Sequence, residues 1–157
     1  MKIELLTEAE VASLKHIIEE SANIVVCCHK SPDGDAMGSS LAWAAFLRMQ
    51  GKAPKVITPD ACPDFLQWLP GAGDVMRYDK QREEGDALLA NADLVFCLDF
   101  NSTGRVDEMQ PSLDASPARK VLIDHHLSPD IDAVLEVSHP EMSSTSEMVF
   151  RLMWQLG

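Results

Sequence analysis

Short strand-like runs of four or five residues, separated by segments of helical period, most constrain how this chain can fold. The runs are Ile24–Cys28, Lys55–Thr58, Leu94–Leu98 and Lys120–Ile123, with Ala133–Val137 as a candidate fifth. The first and third are apolar throughout, as in strands covered on both faces. Strands alternating with helices imply βαβ crossovers and hence an α/β fold. The expectation is a Rossmann-like, mostly parallel sheet of about five strands with helices on both faces.

The helical segments carry their own signals. Thr7-Glu8-Ala9-Glu10 has the form of a capping box, and Val11, Leu14, Ile17 and Ile18 follow as one apolar stripe. Asp35 to Gln50 is expected as a second helix, with Leu41, Ala45, Phe46 and Met49 on one side and Gly51 as its stop. Pro59 to Gly73 is rich in proline and glycine and reads as loop with a short helix around Phe65 and Trp68. Arg82 to Ala90 is helical in period despite Gly85, and Ser144 to Leu156 forms the last helix. On that helix, Met148, Met153 and Trp154 either seal the core or remain as an apolar surface.

Three of the strand-like runs lead into titratable residues. The first continues into His29-Lys30-Ser31-Pro32-Asp33-Gly34-Asp35, the third into Asp99, and the fourth into Asp124-His125-His126. In an open parallel sheet, ligands bind just beyond the carboxyl ends of the strands. His29, Asp33, Asp35, Asp99, Asp124, His125 and His126 are therefore expected along one rim. Gathered carboxylates repel one another and lose hydration, and a divalent cation relieves both costs. Carboxylates with one or two imidazoles suit Mn²⁺, with Mg²⁺ or Fe²⁺ as alternatives. Three or more carboxylates exceed the needs of one ion, which points to a pair roughly 3.5–4 Å apart. Asp99, alone at its strand end, is the best candidate to bridge them.

Each piece also has a plain structural reading. Asp33-Gly34-Asp35 after a proline can be a helix-capping turn. Asp99 can be a loop or cap residue, and either histidine of the pair can satisfy a buried backbone group. Gly34 and Gly38 do not make a dinucleotide-binding fingerprint. His16 and His139, without such neighbours, are expected at the surface.

Composition limits the partners. Thirteen basic against twenty-five acidic residues give a formal charge of −12, so duplex nucleic acid and anionic membranes are not expected to bind through bulk electrostatics. No secretory leader pattern opens the sequence, and no apolar stretch is long enough to span a bilayer. Cys27, Cys28, Cys62 and Cys97 form no C-x-x-C pair, and the first two with Cys97 sit in apolar runs. A cytoplasmic setting is the expectation, and a homodimer stays open.

The ordered motifs His29-Lys30-Ser31-Pro32-Asp33-Gly34-Asp35-Ala36-Met37-Gly38-Ser39, Leu98-Asp99 and Asp124-His125-His126 resemble the DHH phosphoesterase superfamily. The form of the first motif is most similar to the bacterial nanoRNase and pAp-phosphatase branch. The resemblance, over roughly residues 20 to 150, implies a Mn²⁺-dependent phosphoesterase acting on small nucleotides or short single-stranded RNA. It implies that His29 and Asp33 hold one ion, Asp35 and His125 the other, and that Asp99 bridges them. His126 would face the substrate phosphate, with Arg105 and Ser39 as further substrate contacts, and Asp124 would orient the imidazoles. It further implies that residues 1–157 are a catalytic domain cut from a longer protein with a C-terminal substrate-binding domain and one more aspartate ligand. On that expectation the fragment is weakly active or inactive. Pyrophosphate or a cyclic dinucleotide as substrate, or a metal-binding regulatory module without turnover, are the rival expectations.

Overall fold

The structure, a computed structural model, describes residues 4–126 and 129–157; Met1 to Ile3, read above for a leader, lie outside them. Elements follow in the order α1 (Glu8–Glu20), β1 (Ile24–Cys27), α2 (Gly34–Met49), β2 (Lys55–Thr58), β3 (Met76–Arg77) and α3 (Arg82–Ala90). Then come β4 (Leu94–Leu98), α4 (Gln110–Ala115), β5 (Arg119–Asp124), β6 (Leu135–Ser138) and α5 (Thr145–Leu156), with short 3₁₀ turns between some of them. All strand pairings are parallel, in the order β3-β2-β1-β4-β5-β6. This is the α/β fold expected, with one strand more.

Strand order reverses between β1 and β4, which opens a crevice at their carboxyl ends. Register sets the levels there. Cys27 pairs with Cys97 and Leu98 with Ile123, so continuing the ladders by one or two residues carries His29, Asp99 and Asp124 to one height.

The period of two along each strand divides the core. Ile24, Val26, Leu94, Phe96, Leu98, Val121 and Ile123 face one layer, where α1, α2 and α5 bury Leu14, Met37, Trp43, Leu47, Met148 and Leu152. Val25, Cys27, Val95, Cys97 and Leu122 face the other, against Leu89 of α3, Leu113 of α4 and the connecting segments. All four cysteines are buried.

Local signals explain most boundaries. Thr7 Oγ1 accepts the Glu10 N–H at 3.1 Å and the Glu10 carboxylate accepts the Thr7 N–H at 3.0 Å, closing the capping box of α1. Helix α2 departs from expectation: Ala45 and Met49 face outward, Met49 with 82% exposure, while Ala36, Met37, Trp43, Ala44 and Leu47 are buried. It lies on the sheet and also packs against α5, so its apolar residues occupy more than one face and blur a single stripe. β3 and α4 were not expected. The former is two residues long, and the latter is one and a half turns with Pro111 near its start. The short helix expected around Phe65 and Trp68 is a 3₁₀ turn at Asp64–Leu66, and both rings are exposed. On α5 both alternatives are realised at once, for Met148 is buried, Met153 half-buried and Trp154 exposed.

His16 is exposed beside Glu20. His139 is not a free surface residue. Its Nδ1 lies 2.7 Å from Glu141 and its Nε2 3.2 Å from the Leu5 carbonyl, so the ring braces the chain before α1. No described helix is long and apolar enough to cross a membrane.

Gly85 has a packing reason for standing in a helix. A Cβ there would lie 2.7 Å from Tyr78 Cδ2 and 3.2 Å from Ile57 Cδ1. Ala gains about 1 kcal/mol of helix propensity over Gly, but overpacking costs about 1–3 kcal/mol. Gly85→Ala is therefore expected to lower stability by up to about 2 kcal/mol in chemical denaturation; an increase would show that Tyr78 yields freely.

Candidate metal centre

β1 delivers His29 two residues past its end, and the chain then turns into α2. Asp33 caps that helix, its Oδ1 accepting the Ala36 N–H at 2.9 Å, and the same Oδ1 stands 3.8 Å from His29 Nε2. The capping reading and the ligand reading of this aspartate thus coexist. β4 delivers Asp99, which is 2% exposed and has a φ of 64°. Such a left-handed conformation costs a non-glycine residue energy, and Asp and Asn bear it best. Strain of this kind collects at functional sites.

The Asp99 carboxylate reaches both sides of the crevice. Its Oδ2 is 3.3 Å from His29 Nε2, its Oδ1 3.5 Å from His125 Nε2, and Oδ1 also accepts the Thr145 hydroxyl at 2.9 Å. β5 supplies Asp124, fully buried, whose Oδ1 lies 2.6 Å from His126 Nδ1 and whose Oδ2 accepts the His126 N–H at 3.0 Å. The rings of His125 and His126 are 4.4 Å apart.

Donor atoms of His29, Asp33 and Asp99 lie within 4.8 Å of one another, and so do those of Asp99, His125 and His126. The two triads share Asp99. Imidazole nitrogens and carboxylate oxygens without thiolates fit a divalent cation such as Mn²⁺, Mg²⁺ or Fe²⁺, so the chemistry of the donor set accommodates such an ion on each side of one carboxylate. Asp35 stands beside the second triad, its Oδ2 3.5 Å from His125 Nε2. Its two oxygens accept the N–H groups of Ser146 at 2.8 Å and Thr145 at 3.0 Å.

Electrostatics follow this geometry. The Asp99 hydrogen bond, opposed by burial, raises the pKa of His29. Burial raises that of Asp99, and the neighbouring Asp35 charge adds to it against the pull of His29. Burial also pushes Asp35 upward, but the hydrogen bonds from Ser146 and Thr145 outweigh it and hold the carboxyl below its ordinary range. One acid is thus favoured as a carboxylate by fixed dipoles, and the other is held at electrostatic cost.

Two residues expected to meet substrate are placed differently. The main-chain carbonyl of Arg105 accepts the Lys30 N–H at 2.8 Å, which brings Arg105 beside the first motif with its side chain exposed. Among the described residues no salt bridge holds that guanidinium. Ser39, by contrast, is fully buried and its hydroxyl donates to the Ala36 carbonyl at 3.2 Å within α2. This corrects its assignment as a substrate contact, because one turn into α2 the side chain points into the packed layer. Sequence reasoning also missed Thr145 and Ser146. The signal available was the run Ser143-Ser144-Thr145-Ser146 ahead of a helix, which reads as nothing more than capping until the fold brings it to Asp35 and Asp99.

Known proteins resemble this chain in sequence and fold. The chain is 27% identical over 151 residues to the cyclic-di-AMP phosphodiesterase GdpP of Bacillus subtilis, covering 90% of this chain and 22% of that one. It is 47% identical to an exopolyphosphatase-related protein of Bacteroides fragilis of solved structure, with a TM-score of 0.92 over 97% of this chain and 46% of that one. The RecJ structure from Thermus thermophilus in complex with Mn²⁺ shares the fold at 15% identity, with a TM-score of 0.53 over 99% of this chain and 22% of that one. The chain therefore spans less than half the length of these relatives. A family model described as the DHH family, N-terminal domain, matches residues 23–157, and with the shared-aspartate crevice at the sheet's switch point already in view, the chain belongs to the DHH family.

Proposed function

We propose that this chain carries the metal-dependent catalytic site of a phosphoesterase acting on short oligoribonucleotides or pAp-type nucleotides. The observation that carries the reading is the Asp99 carboxylate at the switch point of the sheet, standing between His29 and Asp33 on one side and His125 and Asp35 on the other. The name of the Bacillus subtilis relative supports phosphoester hydrolysis, since a cyclic-di-AMP phosphodiesterase breaks phosphate ester linkages.

His29 and Asp33 would hold one cation and Asp35 and His125 the other, with Asp99 between them. Bound divalent cations, Mn²⁺ first among them, supply charge neutralisation for the phosphoryl group and lower the pKa of water. The remaining work falls to the chain. Asp124 holds His126 through both its side chain and its N–H, and the imidazole fixed in this way would face the substrate phosphate. Arg105, exposed beside the first motif, would meet the same anion. The net charge of −12 suits a small nucleotide or short single strand drawn to a cationic centre, not a duplex drawn to a basic surface. A substrate-binding domain beyond these residues, a cytoplasmic setting and an optional homodimer belong to the same proposal.

A second reading, a cyclic dinucleotide as substrate, is favoured by the name of the Bacillus subtilis relative. The test is Mn²⁺-dependent turnover of pAp, di- to pentaribonucleotides, cyclic di-AMP and pyrophosphate by the full-length protein. Preferred cleavage of pAp or the short RNA is expected. Preferred cleavage of cyclic di-AMP would favour the second reading, and Mn²⁺ uptake without turnover of any of them would leave a regulatory metal-binding module.

A further inference from the structure

The first turn of α5 is arranged around two acids that lie far away in sequence. Thr145 is fully buried, yet its hydroxyl is not needed to cap its own helix. Ser144 does that, its Oγ accepting the Glu147 N–H at 3.1 Å. The first N–H groups of a helix lack intrahelical partners, and here those of Thr145 and Ser146 go to the two oxygens of Asp35. The Thr145 hydroxyl goes instead to Asp99 Oδ1, across 46 residues of sequence.

That bond matters because Asp99 stands on a left-handed residue at the end of β4, and its side chain must present one oxygen to each side of the crevice. His29 Nε2 lies near Oδ2 and His125 Nε2 near Oδ1. A hydroxyl fixed on Oδ1 by a packed helix sets the rotation of the carboxylate. Close packing keeps the helix in place: a Cβ on Gly38 of α2 would lie 3.4 Å from Ser146 Oγ, and that hydroxyl donates to the Asp35 carbonyl at 3.3 Å.

We infer that Thr145 is a positioning residue for the metal centre: its hydroxyl orients Asp99 while its main-chain N–H and that of Ser146 orient Asp35. The inference rests on the metal-dependent reading above. Partners that orient metal ligands typically contribute about 10–100-fold to metal affinity or activity when removed. Thr145→Val keeps the shape and the main-chain bond to Asp35 and deletes the bond to Asp99; Thr145→Ser keeps both bonds.

The experiment is titration of wild-type, Thr145→Val and Thr145→Ser protein with Mn²⁺, followed by the electron paramagnetic resonance of the free ion. Circular dichroism and thermal melting are recorded on the same samples. Expected are a cooperative melt in all three, Mn²⁺ affinity lowered about 10–100-fold in Thr145→Val, and near-wild-type affinity in Thr145→Ser. Unchanged affinity in Thr145→Val, or an equal loss in both variants, overturns the role of the hydroxyl while leaving the metal reading standing. A wild-type protein that takes up no Mn²⁺ overturns the metal reading and this inference with it. Should Thr145→Val not fold, Thr145→Ala compared with Thr145→Ser reads the same difference.

Discussion

Asp99→Asn is expected to lower Mn²⁺-dependent turnover by about 10²–10³-fold or more, the range typical when one preorganised electrostatic contact to the reacting centre is lost. Asn is the right replacement because it tolerates the φ of 64° that would strain Ala. The same substitution is expected to move metal-free stability the other way. Burial, reinforced by the Asp35 charge, raises the Asp99 pKa in the folded state. A carboxyl raised on folding binds more protons folded than unfolded, so its contribution to stability falls as pH rises through that window. At pH 7 the metal-free wild type therefore holds a disfavoured buried charge that Asn removes. Asp99→Asn should melt above wild type at pH 7 without metal, with the gap closing as pH falls toward the ordinary carboxyl value of about 4. Saturating Mn²⁺ should reverse the order, because only wild type has the full ligand set. A variant that keeps wild-type turnover would remove Asp99 from the centre.

The largest effect on stability is expected at Phe96. Its ring is fully buried in the middle of β4 and meets Trp43 edge-on, with centroids 5.3 Å apart. Trp43 in turn stacks on Phe46 at 5.3 Å, so the cluster joins the sheet to α2. Phe96→Ala is expected to cost about 3–5 kcal/mol for lost burial and the cavity left behind. For a chain of this length that corresponds to a fall in Tm of roughly 6–20 °C. Differential scanning calorimetry measures it directly, and a drop of only a degree or two would mean that Trp43 collapses into the space.

What could be read from the residues alone follows from how local each signal is. The apolar runs of β1, β4 and β5 report burial on both faces, and their alternation with helical segments dictates a parallel sheet. The motifs His29 to Asp35, Asp99 and Asp124 to His126 were legible because the strand ends that carry them are set by the same runs. Signals made by packing were not. β3 is two residues long because it only needs to pair with Ile57 and Thr58, and nothing in Met76-Arg77 announces that. The outward turn of Met49 depends on what covers α2 from the side. Ser39 lies inside a motif that resembles a catalytic one, yet helix geometry turns it inward. The role of Thr145 rests on contacts 46 and 110 residues away, a distance no window along the chain can bridge.

That separation also orders events during synthesis. The first motif is complete by Asp35, but the main-chain groups that clasp Asp35 emerge 110 residues later. At about 5–20 residues per second of translation, the ribosome spends roughly 5–20 s between the two. A chain released before residue 145 would hold all the strand segments of the sheet while its acids still lack their clasp. Its capacity to capture metal should therefore switch on late, with the last helix.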